Sequence, residues 1–120
     1  MSASAATNLL VDEALRSQEH PLVIFRDGPS GRRARLIGGP DVWEVAQAIN
    51  STRNSESGLA PQAIVELVSE TSGLSTRLIR AALDYWADHK EEIDGWIGRA
   101  QSETEAAELR WQQQQKMLGR

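Results

Sequence analysis

Residues 63–86, AIVELVSETSGLSTRLIRAALDYW, constrain this chain more than any other stretch. Ile64, Leu67 and Val68 recur at i, i+3 and i+4, the spacing of one apolar helical face. Gly73 follows, where a helix stop needs a residue that accepts positive φ. Ser75 is suited to cap a second helix, on which Ile79, Ala82, Leu83 and Trp86 repeat the apolar stripe. Ser69 is small where two such helices would cross, while Ser72 is polar where an apolar residue would fit better. The spacing predicts two helices around a glycine turn, either a helix-turn-helix whose second helix enters a DNA major groove or a plain helical hairpin.

The rest of the chain reads as short elements around that unit. Residues 8–17 predict an amphipathic helix with Leu10, Val11, Ala14 and Leu15 on its packed side. The apolar run at 22–25 and the alternating RARLI at 33–37 flank DGPSG, which predicts a β-hairpin with a loop longer than two residues. A lone hairpin is rarely stable in water, so it should pack on the helices or pair with that of a second copy. Asp41 with Glu44 reads as a capping box, opening a helix that buries Val42, Val45, Ala46 and Ile49 beside Trp43. Residues 50–58 are polar and read as a loop, and Pro61 suits a helix start.

Beyond Trp86 the helical pattern weakens. Ile93, Ile97, Ala100, Thr104, Ala107, Trp111, Gln114 and Leu118 alternate steps of four and three, a heptad seam with several small or polar positions. Residues 101–120 carry too little apolar surface to fold alone, so this tail is expected to be frayed, or helical only on a partner. Trp111 is expected to anchor that partner, whereas Trp96 is expected to fold back onto the domain. The organisation expected is an N-terminal helix (1–19), a hairpin plus two-helix domain (20–98) and a partner-binding tail (99–120).

Chemistry is sparse. The two histidines, His20 and His89, lie far apart in sequence with no nucleophile–base set around them. The acids of DHKEEIDG lack the spacing of a calcium loop, and DGPSGRR lacks the Lys-Ser/Thr ending of a phosphate loop. No catalytic residue, metal ligand or cofactor is therefore expected. The chain has no cysteine and no apolar run near the roughly 20 residues that span a bilayer. With no leader pattern at the N-terminus, a cytoplasmic protein is expected. The net charge of −4 argues against a general nucleic-acid coat, yet Arg26, Arg32, Arg33 and Arg35 cluster, and counterion release depends on the charges at the contact. Ser75, Thr76, Arg77 and Arg80 fall outside the buried stripe of the second helix, where side chains reach base edges. The expected DNA-binding set is thus Ser75, Thr76, Arg77 and Arg80, with Arg32, Arg33 and Arg35 as a phosphate-gripping wing.

The run GRRARLIGGPDVWEVAQAI, followed after a loop by GLSTRLIRAALDYWADHKEEIDGWI, resembles domain-of-unknown-function family 433, a bacterial group regarded as VapB-type antitoxins of type II toxin–antitoxin pairs. The likeness covers roughly residues 20–98. Gly38 with Val42-Trp43-Glu44-Val45 matches the glycine-strand turn and V-x-x-I/V helix, and Gly73-Leu74-Ser75 matches the second turn. Ala82, Leu83, Tyr85, His89, Glu92, Ile93, Asp94 and Ile97 match the A-L-x-Y-x-x-x-H-x-x-E-I-D-x-x-I segment. The N-terminal HPLVIFRDGPSGRRA also looks like a subgroup preceded by a ribbon-helix-helix-like segment. The resemblance implies a mainly α fold: a small homeodomain-like helical bundle with a helix-turn-helix, an N-terminal β-hairpin and a C-terminal helical tail. It implies an antidote to a PIN-type ribonuclease toxin that represses its own operon as a homodimer, with no membrane association. In that setting the toxin contacts expected on the tail are Trp96, Ala100, Ala107, Arg110, Trp111, Lys116 and Leu118. The alternatives are a helix-turn-helix regulator without a toxin and a structural adaptor whose tail recruits another protein.

Overall fold

The computed structural model describes residues 3–119, which form five helices and one antiparallel hairpin. Helix α1 (Ala3–Glu19) precedes strands β1 (Val23–Gly28) and β2 (Gly31–Leu36). Helices α2 (Val42–Ser55), α3 (Pro61–Ser72), α4 (Thr76–Asp88) and α5 (Lys90–Gly119) follow. The fold is mainly helical with a small two-stranded sheet. No helix among the described residues is long and apolar enough to cross a membrane.

The hairpin packs on the bundle of its own chain. Val23 pairs with Leu36 and Phe25 with Ala34, so alternate pairs point inward. Val23, Ala34 and Leu36 are buried, and Phe25 packs against the core. The connection is tighter than expected: Gly28 pairs directly with Gly31, leaving Pro29 and Ser30 as a two-residue loop. The Arg33 guanidinium lies over Gly28, where a β-carbon would collide with it.

Val42, Val45, Ala46 and Ile49 form the buried stripe of α2 as their spacing predicts. That helix continues to Ser55, through residues expected to be a loop. Asp41 stands at its N-cap but makes no side-chain cap bond. Its carboxylate instead faces Arg33 Nε at 2.8 Å and accepts from Trp43 Nε1 at 3.2 Å, which displaces the expected capping box.

The glycine turn forms where expected. Gly73 takes φ +77° at the end of α3 and its N–H reaches Ser69 O. The Ser75 hydroxyl caps α4 by accepting from Leu78 N at 3.3 Å. Ser72, polar at a position that suits an apolar residue, closes the turn: its hydroxyl donates to Val68 O at 2.7 Å and accepts from Leu74 N at 3.2 Å. The buried faces are rotated slightly from the expected stripes. Val65 joins Val68, and Tyr85 joins Ile79 and Ala82, while Ile64, Leu83 and Trp86 are half-buried.

Helix α1 packs the opposite way round from its expectation. Leu10, Val11 and Leu15 are 64%, 55% and 54% exposed, and Glu13 is the residue it buries. The inward side is held by ions: Arg32 forms a two-pronged pair with Glu13, and Arg16 reaches Glu92 of α5 at 2.9 Å.

Candidate functional site

Ser75, Thr76, Arg77 and Arg80 are all exposed at the start of α4. Ile79 is fully buried between the two arginines, which fixes the helix rotation and turns them outward. Thr76, Arg77, Arg80 and Asp84 line one side of a groove of about 470 Å³ whose other side is the turn from Glu19 to Val23. Arg80 also donates to the Gln62 amide oxygen.

The expected wing is not free. Arg32 pairs with Glu13 and, at 3.2 Å, with Asp27. Arg33 pairs with Asp41, and Arg35 Nε donates to Gly39 O at 2.8 Å. Hydrogen bonds to Glu13 and Asp27 push the Arg32 pKa further up. These three side chains hold α1, the hairpin and α2 together, so the available cationic surface is narrower than the arginine-rich sequence implies. It centres on Arg77 and Arg80.

Helix α5 divides in two by packing. Ile93 and Ile97 are buried and Ala100 is half-buried, whereas every residue from 101 to 119 is exposed. The helix nevertheless runs unbroken to Gly119, in contrast to the frayed tail expected. Its Glu, Gln, Ala, Leu and Arg content is that of strong helix formers. The heptad positions Ala107, Trp111 and Leu118 continue the line of Ile93 and Ile97 into solvent, with Trp111 59% and Leu118 80% exposed. Arg110 and Lys116 lie on the same exposed segment. Trp96 and Ala100 do not belong with this set. Trp96 stacks under Arg99 at 4.3 Å, takes Arg33 at 5.8 Å and lies where a β-carbon on Gly31 of the hairpin would meet it, while Ala100 lines a small cleft with Ser30 and Trp43.

A polar network that the sequence pattern does not reveal lies beneath α1. The buried Tyr85 hydroxyl donates to Glu92 Oε2 at 2.6 Å and accepts from Arg16 Nη1 at 2.8 Å. Burial and the Glu92 carboxylate push the Tyr85 phenol well above its ordinary value. Burial opposes the charge on Arg16, but its bonds to Tyr85 and Glu92 outweigh that and raise its pKa. Beside this network the structure joins residues that are unrelated in sequence. His20 and His89 stand with ring centroids 5.9 Å apart, and both lie against Tyr85. Their nitrogens and a Glu19 carboxylate oxygen are all within 4.8 Å of one another. The only sequence signal is that each histidine follows an acid at the end of a helix.

Comparison with known family models, with characterised proteins and with solved structures finds no match. The motif residues of the turn and of the α4–α5 segment have structural roles. Among them, Gly73 and Ser75 build the turn, and Ala82, Tyr85, Ile93 and Ile97 are buried. Tyr85, Glu92 and Asp94 carry the hydrogen bonds that join α4 to α5.

Proposed function

We propose that this chain is an antitoxin of a type II pair, with α3–Gly73–α4 acting as a helix-turn-helix on operator DNA and the free part of α5 covering a PIN-type ribonuclease. The observation that carries the reading is the tail: a helix with an apolar seam and no cover from its own domain. Over residues 101–119 it extends roughly 28 Å at 1.5 Å per residue. That length and the exposed Trp111 and Leu118 suit a partner groove, since exposed aromatics on a helix serve as anchors. Arg110 and Lys116, exposed on the same segment, would meet the carboxylates with which such a nuclease holds its metal ions.

The DNA half of the proposal rests on Arg77 and Arg80, exposed just after a capped helix N-terminus. Arginine there can pair with guanine O6 and N7 in two-pronged fashion. Asp84, one turn later, limits the contact surface to the first two turns of α4. A homodimer on a two-fold operator follows from this use of the motif.

The test separates the halves. A chain lacking residues 101–120 should bind the operator upstream of its own gene as the full chain does, but should no longer inhibit the ribonuclease encoded beside it. Arg77→Ala with Arg80→Ala should do the reverse. An Arg110→Glu chain that still inhibits fully removes the carboxylate-blocking contact. Undiminished inhibition by the truncated chain removes the toxin-binding role of the tail. Operator binding with no neighbouring nuclease would favour a regulator without a toxin.

A further inference from the structure

The ends of α1 and α4 each carry an acid followed by a histidine: Glu19-His20 and Asp88-His89. Folding brings the two dipeptides together. His20 is 7% exposed, and its Nε2 is buried without a hydrogen-bond partner, as is the Nε2 of His89. Asp88 Oδ2 faces His20 Nε2 at 2.8 Å, whereas the His89 Nε2 has no such neighbour among the ion pairs of the described residues. Buried nitrogens of this kind are uncommon, and each needs a physical reason. The carboxylates of Glu19 and Asp88 and the C-termini of α1 and α4 bring negative charge here, and the N-terminus of α5 at Lys90 brings partial positive charge. Arg16 is occupied by Glu92, Asp12 and the Tyr85 hydroxyl, while Arg77 and Arg80 line the same groove as Glu19 and His20.

We propose that Glu19, His20 and His89 form a three-ligand site for a divalent transition ion of the Zn(II) class, which clamps the end of α1 onto the α4–α5 junction. Two imidazoles and one carboxylate are a donor set that Zn(II) accepts with water in its fourth position, at ligand distances of about 2.0–2.2 Å. Donors on such an ion are roughly 3.3 Å apart, so the present separations of up to 4.8 Å close with side-chain rotation of about an ångström. Glu19 is exposed and free to move. The rings already stand against Tyr85, His89 at 4.5 Å and His20 edge-on at 5.1 Å, which holds the imidazoles in place. The clamp supplies what α1 lacks, since Leu10, Val11 and Leu15 face outward and polar contacts hold its inner side. This inference stands independently of the antitoxin reading.

The test uses the untagged full chain, treated with chelator and titrated with Co(II). The expected result is one saturable site with the intense visible d–d bands of a four-coordinate ion, lost when Zn(II) is added. Glu19→Gln changes an exposed side chain and preserves the fold; it should weaken binding at least about tenfold. His89→Ala should abolish it. Zn(II) should also slow amide exchange selectively in α1. Absence of saturation at millimolar Co(II) overturns the site. So does an affinity that neither Glu19→Gln nor His89→Ala alters. Tight binding without added protection of α1 overturns the clamp.

Discussion

Replacing Tyr85 with Phe removes one oxygen from the centre of the network that docks α1. The ring stays in its fully buried site, so the loss is one of hydrogen bonding with little change in packing. The hydroxyl serves two charged partners, Arg16 at 2.8 Å and Glu92 at 2.6 Å. Bonds to charged groups contribute about 1.5–3 kcal/mol each. The two do not add in full. Arg16 and Glu92 also touch one another at 2.9 Å, and their side chains keep 23% and 37% exposure, so water and mutual pairing recover part of the loss. The expected cost is about 2 kcal/mol. For a chain of this size that lowers Tm by roughly 6–10 °C, measurable by calorimetry and by the urea midpoint. Arg16→Met should cost less in the Tyr85→Phe background than in the native chain, because the residues share one network. Amide exchange in α1 should speed up together with the loss of stability. A Tyr85→Phe chain within about 0.5 kcal/mol of the native one, with α1 exchange unchanged, would refute the claim that this hydroxyl fastens α1.

Gly73→Ala forces a β-carbon into the left-handed region at φ +77° and should cost about 1–2 kcal/mol, read from urea unfolding. Ser75→Ala removes the cap bond to Leu78 N and should cost about 1 kcal/mol in the same measurement, while Ser75→Asp should retain most of the stability. Deleting residues 101–120 removes only exposed side chains among those described and should leave the stability within about 0.5 kcal/mol of the full chain. Asp94 is held below its ordinary value of 3.8 by Lys90 and the Trp86 indole. Its contribution is therefore complete above that value and disappears as pH falls through the lower folded value; the stability difference between the native chain and Asp94→Asn should shrink across that acid range in a pH series of urea midpoints. Operator binding by Arg77→Ala should show a salt slope shallower by about 0.9 for each phosphate that the arginine neutralises, measured by fluorescence anisotropy.

The parts of the fold that sequence makes legible are those governed by local rules. The α2 stripe follows from helical spacing, and the Gly73–Ser75 turn follows from left-handed glycine and a hydroxyl cap. The outward direction of Arg77 and Arg80 follows from the burial of Ile79 between them. The hidden parts depend on partners distant in the chain. Nothing near Arg33 predicts that Asp41 will claim it, because the pairing depends on how the hairpin lies across the start of α2. Tyr85 is separated from Arg16 by 69 positions, and the Glu19-His20 and Asp88-His89 dipeptides are equally far apart. Ionic and ligand chemistry assembled by tertiary contact leaves no periodic trace. The unbroken tail is hidden for a different reason: a lack of apolar surface predicts no packing, but helix propensity acts without packing.

Helix α1 shows how the two kinds of rule compete. Its apolar residues Leu10, Val11 and Leu15 define a credible buried face, and burying them would contribute about 1.5–3 kcal/mol each. They stay outside because the core is already closed. Leu36, Val42, Val68, Ile79 and Ile93 are fully buried in a core cluster that includes no residue of α1, and the surface α1 meets carries the Tyr85 hydroxyl, Glu92, Arg32 and Asp88. An apolar face set there would strand those groups without partners, at about 1–3 kcal/mol each and more for the charged ones. Satisfying them outweighs hiding three aliphatic side chains, so the helix turns Glu13, Arg16 and His20 inward. A helix docked through charge is held by directional bonds at a few points and has no broad apolar contact to fall back on. Its attachment is therefore sensitive to single polar substitutions such as Tyr85→Phe, and to any ion that joins its end to α4.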